Sequence, residues 1–456
     1  MIIDALVAEI GSTTTIVNAF DKLDSDNPVF LGSGFAPTSI DKGDVTIGFN
    51  QAKANLMQNL HVSELLAKET FASSSAAGGL KMSVHGLVYD MTVKAAKEAA
   101  LGAGANLKII TSGVLDEFQL EELKFSNLNI IMVSGGVDYG ERKTALENAK
   151  KIAELKLNIP VIYAGNIQNQ NMVKRFFEEN NQEQYLYISN NVYPKIDVLE
   201  VENTRKIIQD VFEKHIIQAP GMEHIKEIIN EAIIPTPGAV MEASKLLQAA
   251  IGDLITVDVG GATTDIHSVT EGKEEVNKIL IAPEPFAKRT VEGDLGVFVN
   301  KDNVVSIIGI ENLQRDLKLS EVELKQLLEN YQPIPNSNQV PLTEKLTEVA
   351  FDLALKRHAG KLIYMFNSSG KVAYAEGKDL SNVLYIIATG GALTRLGNRI
   401  EIIKNVLSKQ TDLTLAPSKK TKIIIDNDYI MASLGVLSKK HPEAALKLLM
   451  KSLGIE

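Results

Sequence analysis

The chain has 456 residues, 45% hydrophobic and 23% charged, with a formal net charge of −10 and no cysteine. That length exceeds one ordinary hydrophobic core, so two or more domains are expected. The negative charge argues against a general nucleic-acid or membrane-surface role, since phosphates reward Lys and Arg. Without cysteine there are no disulfides, thiolate metal sites or cysteine nucleophiles, which fits a reducing cytoplasm.

The N-terminal MIIDALVAEIGSTTT has no basic region, long apolar stretch or small-residue cleavage site, so no signal peptide is expected and the location is taken as cytoplasmic. No run approaches the roughly 18 apolar residues of a membrane span. The seven histidines lack a spacing such as HExxH, which leaves a zinc enzyme unsupported. Residues 2–10, 15–20, 31–37 and 45–49 read as a strand meander, and helical periodicity starts near Gln51 and runs through HVSELLAKE. Residues 70–235 then alternate helices and strands: a helix at 91–102, KIITSGVL and NIIMVSGGVDYG as strands, ERKTALENAKKIAELKL as a helix, PVIYAGN and QYLYISN as strands, and ENTRKIIQDVFEKHIIQ as a helix. Such alternation predicts parallel α/β layers. The pattern restarts with the helix PTPGAVMEASKLLQAAI, the strand–turn–strand LITVDVGGATTDIHSVT and a strand KILIA. Residues 311–366 read as largely helical, VLYIIATGGALTRLG as strand, glycine turn and helix start, KIIID as a strand, and the C-terminus as helices. The meanders near residues 2 and 254 mirror one another, which suggests an internal duplication.

Chemistry concentrates at two turns. In Asp258-Val259-Gly260-Gly261-Ala262-Thr263-Thr264-Asp265 the glycines let the backbone turn tightly and approach an anion. Thr263 and Thr264 add hydroxyls, and Asp258 at the strand end suits a water on Mg²⁺; a plain hairpin would need the glycines but not the flanking acids. In Glu9-Ile10-Gly11-Ser12-Thr13-Thr14-Thr15, Gly11 permits the turn while Ser12, Thr13 and Thr15 offer hydroxyls to phosphate.

The pair resembles the phosphate-1 and phosphate-2 motifs of the superfamily of actin, sugar kinases and heat-shock ATPases, and Thr389-Gly390-Gly391-Ala392 resembles its adenosine motif, in the same chain order. That resemblance implies a two-lobed actin-like ATPase fold (ribonuclease H-like), an N-terminal lobe at 1–250 with a large α/β insertion at about 70–235, a C-terminal lobe at 251–456, and Mg·ATP held by both phosphate loops. It implies metal contacts for Asp258 and Glu9, although the superfamily has Asp where this chain has Glu9. It also implies a water-orienting residue on the helix before phosphate-2, where Glu242 is the acidic candidate and a solvated helix face is the plainer reading. Over its whole length the chain further resembles the accessory proteins of glutamate mutase (MutL type, unrelated to DNA mismatch repair). The resemblance rests on SSSAAGGLKM at 73–82, AALGAGA at 99–105, VDVGGATTDIHSV, RTVEGDLG at 289–296, IIATGGALTRL and DYIMASLGVLSKKHPEAALKLL. It implies an ATP-driven reactivating chaperone or accessory subunit for an adenosylcobalamin-dependent aminomutase acting on glutamate, lysine or ornithine, with oligomerisation left open. A small-molecule kinase and a nucleotide-dependent filament protein are the alternatives on the same fold.

Three weaker features stay open. SGGVDYGE at 134–141 reads as an anion-binding turn or a structural helix start. SSSAAGG reads as a gate or a close-packed turn, and Arg289, Glu292 and Asp294 as a group reaching the cleft or a surface ion-pair set.

Overall fold

A computed structural model describes residues 1–11, 14–75, 80–215, 221–367 and 370–455. The chain divides into two compact units, Met1–Ala243 with Ala432–Leu448, and Ser244–Met431 with Leu449–Glu456.

In the first unit β1 (Ile2–Ile10), β2 (Thr14–Asp21) and β3 (Val29–Pro37) form an antiparallel meander, and β4 (Leu66–Ser74) pairs parallel on the other side of β1. β1 is central and covered on both faces, which is why residues 5–10 are all buried and its sequence does not alternate. Residues 45–49, expected as a strand, instead open the helix Val45–Asn59. Asp44 caps it by accepting the Thr46 N–H at 2.8 Å, and Val45, Phe49, Ala52 and Leu56 form one buried stripe. The helical reading of HVSELLAKE also fails: His61 takes a left-handed φ of 56°, and pairing with β1 draws residues from Leu66 onward into β4.

An insertion follows. β5 (Leu80–Gly86), β6 (Ala105–Ser112), β7 (Ile130–Val133), β8 (Val161–Tyr163) and β9 (Leu186–Ile188) make an all-parallel sheet of order β6-β5-β7-β8-β9. Its connections are helices, as parallel pairing requires. β10 (Ile233–Pro235) then returns to pair parallel with β4, completing the order β3-β2-β1-β4-β10.

The second unit repeats the pattern. β11 (Leu254–Val259), β12 (Thr264–Val269) and β13 (Ala287–Glu292) form an antiparallel meander. Helices then lead through Val340–His358 to a hairpin, β14 (Lys361–Asn367) and β15 (Gly370–Glu376). β16 (Tyr385–Thr389) and β17 (Lys422–Ile425) add in parallel, giving β13-β12-β11-β16-β17. Two readings change here. KILIA at 278–282 makes only a single bridge, Leu280 to Ala375, and the third strand begins at Ala287. Residues 361–366, read as helical, are the β-branched and aromatic first arm of the hairpin.

Each five-stranded sheet thus runs third, second, first, fourth, fifth, with only the second strand antiparallel to its neighbours on both sides. That order, made twice, is the actin-like (ribonuclease H-like) ATPase fold with a parallel α/β insertion before the last strand of the first sheet. Among the described residues no helix is long and apolar enough to cross a membrane.

Candidate functional site

The residues flanking the two turns share one bonding pattern. The Gly11 N–H donates to the Thr14 carbonyl at 3.0 Å, and the Gly260 N–H to the Thr263 carbonyl at 2.9 Å. Cross-strand register places Glu9 opposite Ile16 and Asp258 opposite Asp265, so Glu9 is the positional counterpart of Asp258 and Thr15 of Thr264.

In the second unit the turn is held from one side. Its carbonyls accept in succession: Gly260 from the Val297 N–H at 3.2 Å, Gly261 from the Phe298 and Val299 N–H groups at 2.9 and 2.7 Å, and Ala262 from Asn300 Nδ2 at 2.8 Å. Gly296 lies so close that a Cβ would overlap the backbone of Gly261 and Ala262. No peptide here is cis, so each N–H points opposite to the preceding carbonyl. The N–H groups of Gly261, Ala262 and Thr263 are therefore turned to the face away from residues 296–300, the arrangement of an anion nest. Thr263 is half-buried on this turn. The Thr264 hydroxyl, read from the sequence as a phosphate contact, is fully buried and donates to the Leu295 carbonyl at 2.7 Å.

Three neighbouring strand ends gather acids and glycine beside this turn. Asp258 near the end of β11 pairs in register with Thr389, the last residue of β16. Gly390 follows at a φ of +84°, where a Cβ would overlap Asp258 Oδ1 and sit 2.7 Å from the Val259 backbone; the next residue, Gly391, is exposed with open space at its Cβ position. Past β17, Asp426 accepts the Thr389 hydroxyl at 3.0 Å and the Ile430 and Met431 N–H groups at 3.2 and 3.1 Å. Burial pushes the Asp258 carboxyl up to about 7; Asp265 adds to this, Arg289 opposes it, and Asp426 adds again. Burial also raises Asp426, against the hydrogen bonds it receives. Asp265 is buried and bound by Arg289 Nη2 at 2.7 Å. The Arg289 group read in the sequence therefore divides: Arg289 faces inward to Asp265, while Glu292 and Asp294 take Arg357 at 2.6 and 2.7 Å.

In the first unit Glu9 is 8% exposed at the end of β1. Thr15 is fully buried, its hydroxyl 2.9 Å from that of Thr38, which donates to the Gly11 carbonyl at 2.9 Å. Thr14, passed over in the sequence reading, is the exposed residue of this pair and the counterpart of Thr263. Ser12 and Thr13 lie outside the described residues, as do residues 76–79 of the SSSAAGG stretch. Ser73 pairs in register with Glu9, and the Ser75 N–H donates to the Ile10 carbonyl at 3.0 Å. Glu242 is half-buried on the helix Thr236–Ile251, its carboxylate 3.3 Å from Lys439 Nζ.

Sequence reasoning missed Asp426 and Asn300. Asp426 carried a weak signal, an acid directly after the apolar strand KIII, matching Asp258 near the end of β11. Asn300 carried none, because its role depends on the 294–300 segment folding back.

The residues fit a hydrated magnesium ion. Among the described residues no three His, Asp or Glu side chains gather as a metal cage, but Mg²⁺ keeps several waters and needs only one or two carboxylates. Asp258, disfavoured as an anion by its surroundings, gains from a cation.

Fold and site together define a protein of the actin-like ATPase fold with a glycine turn after the first strand of the second unit's sheet. A profile of the family described as MutL protein matches residues 5–453, and the chain is 36% identical over 461 residues to Protein MutL of Clostridium tetanomorphum, covering 98% of each. The chain belongs to the MutL protein family. Among solved structures, a nucleotide-free diol dehydratase-reactivating factor aligns over 96% of this chain and 100% of its own at 11% identity and a TM-score of 0.39. Nucleotide-free acetone carboxylase aligns over 96% and 70% at 11% identity and 0.40. Likenesses this weak carry no functional argument, and the assignment of the fold rests on strand order.

Proposed function

We propose that this protein is an ATP-dependent accessory protein that reactivates an adenosylcobalamin-dependent amino-acid mutase of the cytoplasm. The observation that supports the nucleotide half is the fixed direction of the Gly260, Gly261 and Ala262 carbonyls, which turns three successive N–H groups to the face away from residues 296–300. Family membership carries the mutase half.

In this reading the N–H groups of Gly261, Ala262 and Thr263 and the Thr263 hydroxyl receive phosphate oxygens, and Gly11 with Thr14, Ser12 and Thr13 does the same in the first unit. Gly391, with open space at its Cβ position, leaves room for the nucleoside, and Gly390 lets the backbone pack against Asp258 and Val259 so that the turn can present it. Asp258 would hold Mg²⁺ through water, with Glu9 at the matching position; the ion would supply positive charge to the phosphates. Thr264 and Thr15 keep the turns in shape. Glu242, ion-paired with Lys439, orients water only if that pair opens. A ligand that contacts the nests differently as ATP and as ADP biases the conformation of the protein, and a partner is driven only as far as its affinity differs between the two.

The test uses a mutase stalled with hydroxocobalamin, incubated with the protein and Mg·ATP and passed through rapid filtration. Cobalamin absorbance in the small-molecule fraction is expected with ATP and not without it. Retention of the cobalamin on the mutase in both cases would contradict the proposal.

A further inference from the structure

The C-terminal edge of the inserted parallel sheet is where an open α/β fold places its ligands, above all at the crevice where the strand order reverses. Here that crevice lies between the connections after β5 and β7, and the protein fills it itself. Thr92 Oγ1 accepts the Leu87 and Val88 N–H groups at 2.9 and 3.2 Å, and the Ser134 hydroxyl donates toward the Thr92 carbonyl at 3.2 Å. The glycine turn at 134–141 is equally occupied: Asn191 Nδ2 donates to the Gly136 carbonyl and to Asp138 Oδ1, both at 2.9 Å, and Asp138 Oδ1 also accepts the Ile167 N–H at 3.0 Å. The Leu87 and Val88 N–H groups, the Ser134 hydroxyl and the Asp138 carboxylate thus hold the loops.

The same bonds tie the five connections into one platform. Gly113 N–H reaches the Gly86 carbonyl at 2.8 Å, Asp138 N–H the Pro194 carbonyl at 2.9 Å, and Tyr139 N–H reaches Asn166 Oδ1 at 3.4 Å. Each connection then presents a large apolar side chain to solvent. In spatial order across the sheet these are Val114 (42% exposed), Tyr89 (52%), Tyr139 (75%), Ile167 (37%) and Ile196 (67%), and Phe118 (84%) extends the row beyond Val114. Five strands at about 4.8 Å spacing make this row roughly 20 Å wide, and a rigid apolar row of that width on a soluble unit marks an interaction surface.

Charge identifies the kind of occupant. Residues 87–93, 113–116, 134–142, 164–169 and 189–201 carry Asp90, Asp116, Asp138, Glu141, Asp197 and Glu200 against Arg142 and Lys195, and Lys97 of the following helix adds one cation 5.2 Å over the Tyr89 ring, which leaves the edge acidic. Two such edges repel one another, so a second copy of this chain is disfavoured. We infer that this edge docks a different protein, one presenting an apolar patch within a basic rim. On the reading proposed above, from which the partner's identity is taken, that protein is the mutase.

The test is binding of purified glutamate, lysine and ornithine mutases to the full-length protein by biolayer interferometry. Three proteins are compared: wild type, the double variant Tyr139→Asn and Ile196→Ser, and the double variant Asp90→Lys and Glu200→Lys. All four positions are exposed, so thermal melting and Mg·ATP binding should match wild type. The expected result is tight binding of one mutase by wild type. The apolar variant should weaken it at least tenfold, and the charge variant should slow association several-fold at low salt, with the difference fading at high salt. Wild-type affinity in both variants would overturn the surface while leaving the proposed function standing. Failure of wild type to bind any of the three mutases would overturn the partner, and with it that function. A concentration-dependent dimer protecting these loops from hydrogen exchange would overturn the inference in favour of self-association.

Discussion

Asp258 sits among Asp265, Asp426 and the Gly390 backbone, a setting that disfavours its charge. Its folded pKa of about 7 lies above the ordinary carboxylate value near 4, so the folded state binds the extra proton between those values. In the ligand-free protein in EDTA the Asp258 contribution to stability should therefore fall as pH rises from about 4 to about 7 and level off above, against the opposite contribution of the buried histidines. Asp258→Asn should remove much of that slope and stabilise the ligand-free protein at neutral pH by about 1–2 kcal/mol, after allowing for its remaining exposure. Mg·ATP binding should weaken at the same time; denaturation and calorimetry at several pH values check both. A stability–pH profile unchanged by the substitution would contradict the placement of Asp258. Arg289→Ala leaves Asp265 buried without its cation and should cost about 3–5 kcal/mol in urea unfolding. Asp258, Gly260, Gly261 and Gly390 were legible in the sequence because turn chemistry depends on residue type. Thr264 and Thr15 were assigned to phosphate because composition shows a hydroxyl but not its direction; the alternation of a strand turns Thr263 outward and Thr264 inward. Asp426 and Asn300 serve residues 37 and 38 positions away, a distance at which sequence pattern says nothing.

At the scale of elements, the turn at 260–263 has its shape from the segment after β13. The RTVEGDLG stretch is explained by that support: Arg289 fixes Asp265, the Leu295 carbonyl fixes Thr264, and Gly296 allows the contact. Asn300→Ala removes the side chain bonded to both Ala262 and Gly293, without touching the N–H face of the turn. It should lower Mg·ATP affinity by about tenfold and speed amide exchange at 260–264, with a melting temperature near wild type. Unchanged affinity would show that the turn holds its shape unaided. The central strands were legible as long apolar, β-branched runs. Misreadings fell where local pattern was ambiguous: 45–49 is apolar in either state and is decided by the Asp44 cap, and residues 66–69 look helical but pair with β1. Short apolar runs give way to tertiary pairing.

At the scale of the whole molecule, the chain closes on its beginning. Residues Ala432–Leu448 belong to the first unit, where Ser433 accepts Asn18 Nδ2 at 2.8 Å, His441 and Lys440 meet Glu69 at 2.7 and 2.8 Å, and Gly435 packs on the Ala239 backbone. This accounts for the distinctive C-terminal sequence, and no local signal could have shown it. Three buried histidines also shape the pH response. His85 is pushed down to about 3 by burial, and burial holds His267 and His358 well below their ordinary value, with nearby cations acting in the same direction. Their unfolded forms protonate below about pH 6.5 while the folded forms do not, so stability should fall as pH drops through that value, by up to about 1.4 kcal/mol per pH unit for each. His267→Leu should remove one share of this loss, measurable by urea unfolding at pH 5 and 7; an unchanged difference between the two would contradict it. On the proposed function, nucleotide bound at the 260–263 turn drives a partner back to activity. The most direct measurement is recovery of turnover by a hydroxocobalamin-stalled aminomutase given free adenosylcobalamin, Mg·ATP and this protein, wild type or Asp258→Asn. Recovery with wild type and ATP, absent without ATP and strongly reduced with the variant, is the predicted result. No recovery of glutamate, lysine or ornithine mutase while ATP is demonstrably bound, or equal recovery with the variant, would contradict it.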